Sequence, residues 1–165
     1  MPRVAILLNP DNRVHAVFLE ETRLAARSLG VQLQALEARN PEELERAFNA
    51  ATGGRAAGLI VSDDPVFWSY RAQVVALAAK RRLPAMYGYR EYVDEGGLLS
   101  YGPDRIDHYR RTAAYVDKIL KGATPGNLPV EQPTKFEMII NMKTAKALGL
   151  KIPNTILVQA TKVIE

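Results

Sequence analysis

Short apolar runs and helical stripes alternate along the first hundred or so residues. Arg3 to Leu8 (RVAILL) has the character of a strand buried on both faces. Asn9-Pro10-Asp11-Asn12 ends it, and Asp11 or Asn12 suits the cap of a following helix. From Arg13 to Leu29, Val14, Val17, Phe18, Leu24, Ala25 and Leu29 recur at helical spacing, and Gly30 stops the helix. Val31 to Leu36 (VQLQAL) alternates, as a strand nearer a sheet edge does. Asn40-Pro41-Glu42-Glu43 opens a second helix with a cap, a first-turn proline and acids against the dipole. Its inner stripe is Leu44, Ala47, Phe48 and Ala51, and Gly53-Gly54 closes it.

A third strand, Ala57 to Val61, leads through Ser62-Asp63-Asp64-Pro65 into a helix with Phe67, Tyr70, Val74, Leu77 and Ala78 on one face. Pro84 to Tyr87 is a fourth strand, Arg90 to Glu95 a helical turn, and Leu98 to Tyr101 a fifth strand. Strict alternation with short loops predicts an α/β fold: a doubly wound parallel sheet with helices on both faces. After Gly102-Pro103 the pattern changes. Ile106, Tyr109, Ala113, Val116 and Leu120 form a narrow seam on one helix, and such a stripe needs a partner surface. Residues 122–133 read as an extended connection, Phe136 to Asn141 as a sixth strand, and Lys143 to Leu148 as a short helix stopped by Gly149. Pro153 begins a last helix.

Composition narrows the function classes. The chain of 165 residues has no cysteine, which removes disulfide and thiolate chemistry. Its net charge of +4 is uneven: residues 1–102 hold 12 Lys+Arg and 12 Asp+Glu, and residues 103–165 hold 10 and 6. The basic excess is interspersed with acids and carries no nucleic-acid motif, so no nucleic-acid partner is expected. No apolar run approaches a membrane span, and MPRVAILLNPDN is not a secretory signal. The chain is therefore expected in the cytoplasm if Met1 is the true start. If a leader and preceding lobe have been removed, it is expected in the periplasm or at the cell surface.

Candidate chemistry is sparse. His15 and His108 lie on predicted helices among polar neighbours and read as surface residues. Asp63-Asp64 after a strand suits a ligand or Mg²⁺ site, although capping explains one of the two. A phosphate-accepting receiver domain fails for want of a lysine after the fifth strand, which ends Ser100-Tyr101-Gly102. No Gly-x-Gly-x-x-Gly, P-loop or Gly-x-Ser-x-Gly elbow is present. Tyr87 and Tyr101, at strand ends beside glycine, are candidates for ligand contact, whereas Trp68 and the other aromatics fit core or stacking roles. No catalytic residue, metal or cofactor is expected.

The run LAAKRRLPAMYGYREYVDEGGLLSYGPD, followed by YRRTAAYVDKILKGATPGNLPVEQPTKFEMIINMKTAKALGLKIP, closely resembles the ABC-transporter substrate-binding protein family. More narrowly it resembles the branch with tryptophan- and tyrosine-binding proteins. The resemblance implies a type I periplasmic-binding-protein lobe, flavodoxin-like, with an extra C-terminal helix–strand–helix segment. It implies that residues 1–102 are the second of two lobes, that 103–133 cross to a first lobe, and that 134–165 return. It places Asn9, Asp63, Asp64, Tyr87, Arg90 and Glu91 on the ligand side, with Ser100 and Tyr101 at the hinge. The function implied is that of a solute-binding component of an ABC importer, taking a small ligand such as an amino acid and delivering it to a permease. A cytoplasmic single-lobe sensor is the other class. The seam on residues 106–120 leads us to expect a homo-oligomer through residues 105–165, since leaving it bare forgoes a few kcal/mol at roughly 25 cal/mol per Å².

Overall fold

The computed structural model describes all 165 residues. The N-terminal apolar run forms β1 (Arg3–Leu8), flanked by β2 (Gln32–Glu37) and β3 (Gly58–Val61) in parallel register. The three-residue β4 (Ala85–Tyr87) and then β5 (Leu99–Pro103) extend the sheet in parallel. Two further strands complete a seven-stranded sheet in the order β2-β1-β3-β4-β5-β6-β7. β6 (Phe136–Asn141) runs antiparallel to β5, and β7 (Lys162–Ile164) parallel to β6. The first five strands have the doubly wound order 2-1-3-4-5, whose carboxyl ends form the crevice in which such sheets bind ligands.

Local sequence accounts for the helices. In α2 (Pro41–Gly53) the Asn40 side chain accepts from the Glu43 amide at 3.0 Å, and the Glu43 carboxylate accepts from the Arg39 amide at 2.9 Å. This reciprocal cap fixes the helix entry, so Leu44, Ala47, Phe48 and Ala51 all turn inward. The helix predicted after Pro65 is two: α3 (Pro65–Ser69) and α4 (Arg71–Lys80), broken at Tyr70. Phe67, Val74, Leu77 and Ala78 are buried as the stripe requires, while Tyr70 is exposed. These helices join Ala5 and Leu7, Leu59 and Val61, Ala85 and Tyr87 in one core cluster.

The α1 helix (Val14–Ser28) forms as predicted, but its apolar set does not face the sheet. Val14, Val17, Phe18, Leu24 and Leu29 are exposed, and the buried residues are His15 and Ala26. Ile6 and Leu8, which alternate with the core-facing residues of β1, are also buried, and right-handed crossovers put α1 on that opposite face.

Beyond β4 come α5 (Arg90–Asp94) and, after β5, α6 (Arg105–Leu120). Asp104 caps α6 through the Ile106 and Asp107 amides and pairs with Lys135 at 2.7 Å. One side of α6 is laced to the returning chain: Arg111 binds Asp107, Glu131 and Thr134, and the Tyr115 hydroxyl donates to the Pro129 carbonyl. Its seam residues Ile106, Tyr109, Val116 and Leu120 are exposed, and no residue of the helix is buried. The chain ends with α7 (Met142–Leu148), α8 (Asn154–Leu157) and β7, a three-residue edge strand absent from the sequence reading. Gly149 stops α7 in the left-handed conformation, at φ 75°.

Candidate ligand-binding site

The β3 carboxyl end carries two aspartates with different surroundings. Asp64 belongs to a closed polar knot. It caps α3 by accepting from the Val66 amide at 2.9 Å, and accepts from the Asn9 and Asn12 side-chain amides at 3.2 and 3.0 Å. Burial pushes its carboxyl pKa up, but these donors outweigh that and hold it below the usual carboxylate range. His15 braces the knot from α1. The Asn9 amide donates to His15 Nδ1 at 2.8 Å, so Nε2 carries the proton and donates to the Asp63 carbonyl at 3.0 Å. His15 is thus a buried structural residue, 4 % exposed, and the expectation of a surface histidine is corrected for it. His108 is exposed as expected.

Asp63 faces the other way. Its carboxylate lies over Gly88, where an added Cβ would come within 2.0 Å of Oδ1. It stands at the mouth of a cleft and makes no side-chain hydrogen bond or ion pair, and the crowding walls raise its pKa. Those walls are aromatic. Trp68 meets Tyr89 and Tyr92 edge to face, with ring centroids 5.6 and 6.1 Å apart. The Arg105 guanidinium lies 4.3 Å from the Trp68 ring centroid and 5.1 Å from that of Tyr89. It donates to Glu91 and to the Tyr109 hydroxyl, each at 3.2 Å. Asp63, Trp68, Tyr89, Tyr92, Arg105 and Tyr109 line a cleft of about 520 Å³, in the size range of a small-molecule site.

The family model described as ABC transporter substrate binding protein matches residues 1–164. The chain belongs to this family. Among solved structures, a conserved domain protein from Vibrio cholerae superimposes with a TM-score of 0.89 at 25% identity, over 98% of this chain and 54% of that one. An ABC domain in complex with L-Trp from Streptococcus pneumoniae gives 0.89 at 24% identity, over 99% and 56%. The ligand-free, open form of a substrate binding protein with adhesive properties from Clostridium difficile gives 0.71 at 20%, over 99% and 54%. The chain therefore spans just over half the length of the solved structures it matches. No curated protein gives a significant sequence match.

For this substrate-binding-family chain, the eight candidate residues separate into three groups. Asp63 and Asp64 line the cleft. Asn9 and Glu91 stand behind the lining, holding Asp64 and Arg105. The other four lie elsewhere. Tyr87 is 1 % exposed, stacked on Tyr92 within the core, and Ser100 is its register partner on β5, equally buried. Both side chains point beneath the helices, because a strand's alternate positions serve opposite faces. Tyr101 stacks on Phe136, and Arg90 pairs with Asp94 on α5. The sequence reading places Trp68 mainly in the core and Tyr109 on the apolar seam of α6, and it marks neither Tyr89 nor Arg105. The available signal for Arg105 was its place as first residue of a helix capped by Asp104, directly after a strand end.

Proposed function

We propose that this chain binds a small amino-acid-like solute at the carboxyl ends of β3 and β4, as a solute-binding component of an ABC importer without catalytic function. The observation that carries this reading is the Asp63 carboxylate, which lacks a protein partner and sits beside the wall of Trp68, Tyr89 and Tyr92. A carboxylate in such a place suits an ammonium group, and the rings suit an apolar or aromatic side chain. Family membership favours solute binding, and the L-Trp complex of the Streptococcus pneumoniae relative supplies a first probe. Delivery to a permease, outside the cytoplasmic membrane, belongs to the same proposal. No helix here is long and apolar enough to cross a membrane.

A thermal-shift screen of amino acids and small solutes tests it, because a ligand that binds only the folded state raises the melting temperature by mass action. At least one amino acid at millimolar concentration should shift the melt. A flat response across the panel contradicts the reading. The alternative, a single-lobe sensor that dimerises, draws on the bare α6 seam of Ile106, Tyr109, Val116 and Leu120. We infer that this seam pairs with a second copy through residues 105–165. A monomer in sedimentation at tens of micromolar would contradict that pairing.

A further inference from the structure

We propose that Arg105 anchors the carboxylate of a zwitterionic ligand whose ammonium group sits on Asp63, so that the cleft selects amino acids over the matching amines and acids. This rests on the solute-binding reading above and adds a selection rule that family membership does not supply.

The charges around the cleft lead to it. Asp64 is satisfied by three donors and has no role left for a ligand. Asp63 has none of these partners. Arg105 is the cation that lines the same cleft, and its charge acts on the Asp63 carboxyl, offsetting part of the effect of crowding. The cleft thus presents one unpaired carboxylate and one guanidinium that, although paired with Glu91, has N–H groups to spare. This pattern is complementary to a zwitterion. An amine alone would leave the N–H groups of Arg105 that Glu91 and Tyr109 do not take without an acceptor, and an acid alone would bring a second carboxylate toward Asp63.

The guanidinium is also held ready. Trp68 and Tyr89 pack on its face, and Glu91 and Tyr109 each take one of its N–H groups. A guanidinium carries a planar fork of five donors, so these partners leave N–H groups unused. Its side chain remains 31% exposed, so a carboxylate can reach them. A fork fixed in this way loses little further freedom on binding.

Isothermal titration calorimetry can test this with two ligand sets: L-tryptophan, tryptamine and indole-3-propionate; and L-leucine, isopentylamine and 4-methylpentanoate. The proteins are wild type, Arg105→Met and Arg105→Lys, with melting temperatures recorded to establish folding. Methionine keeps an apolar stem against Trp68 without the charge. The amino acid of a set should bind wild type more tightly than its amine or its acid. Arg105→Met should weaken amino-acid binding about thirtyfold or more while leaving the amine nearly unchanged, so that their affinities converge. Arg105→Lys should recover part of the loss. Equal binding of amino acid and amine by wild type, or full amino-acid affinity in a folded Arg105→Met, overturns the anchor and leaves the solute-binding reading intact. Tighter binding of the amine by Arg105→Met than by wild type, with amino-acid affinity unchanged, would mean that the rings take a cation in place of Arg105, and also overturns it. If neither amino acid binds, this proposal falls. The solute-binding reading falls with it only if the full amino-acid panel also gives no thermal shift.

Discussion

Asp63 and Asp64 are neighbours in sequence, yet one belongs to a saturated floor and the other to an open wall. The floor of Asn9, Asn12, His15 and Asp64 is buried or half-buried, with its donors and acceptors matched. The wall of Asp63, Trp68, Tyr89 and Arg105 keeps solvent contact and leaves its carboxylate without a partner. A polar group satisfied inside a fold supports that fold. A polar group left open in a crowded place costs stability and is available to a ligand. The difference between floor and wall separates structure from function at this site.

Substitutions should divide along the same line. Asp64→Ala removes the α3 cap and strands the amides of Asn9 and Asn12, and should lower unfolding free energy by about 3 kcal/mol in denaturant titration. His15→Ala leaves the Asn9 amide and the Asp63 carbonyl unpaired, for a loss of about 2 kcal/mol. A loss below about 0.5 kcal/mol in both would mean that the floor is not the brace described here.

Asp63→Asn should behave in the opposite way. The raised carboxyl pKa means that ionised Asp63 detracts from stability above its folded value, and that this penalty is gone below the unfolded value of about 3.9. The variant should therefore melt no lower than wild type at pH 7, with any gain vanishing as the pH falls toward 3, while amino-acid binding is lost. Asp64 has the reverse sign: its contribution is present above about pH 3.9 and fades as the pH falls through its lowered folded value. A melting temperature for Asp63→Asn well below wild type at pH 7 would move Asp63 into the floor.

The smallest effect is expected on α1. Leu24→Lys changes a residue 57% exposed and should stay within about 0.5 kcal/mol, whereas Ala26→Lys, on the buried side, should cost more. The same helix shows why part of the fold was illegible in sequence. The α2 helix has one apolar stripe between clear caps, and burial followed it. In α1 the larger apolar side chains lie outside while His15 and Ala26 meet the sheet, so periodicity marks a helix without saying which side packs. Strand parity misled in a similar way: Tyr87 and Ser100 stand near strand ends, as the pattern required, but on the core side of the sheet. β7 is too short and too exposed to leave an apolar run. Asp63 was visible because a strand end and a capping turn are local signals. Its place in one cleft with Arg105 depends on sheet order and on the capped start of α6, which no local pattern encodes.

Chemical-shift mapping of the isotope-labelled protein during titration with L-tryptophan tests the central claim most directly, because it reports where a ligand sits as well as whether it binds. The largest changes should fall on the amides of Asp63, Gly88 and Tyr89, on the Trp68 indole N–H and on the Arg105 side chain. Changes confined to the groove between α6 and residues 125–135, or none at saturating concentration for any amino acid that shifts the melt, would contradict the assignment of this cleft as the binding site.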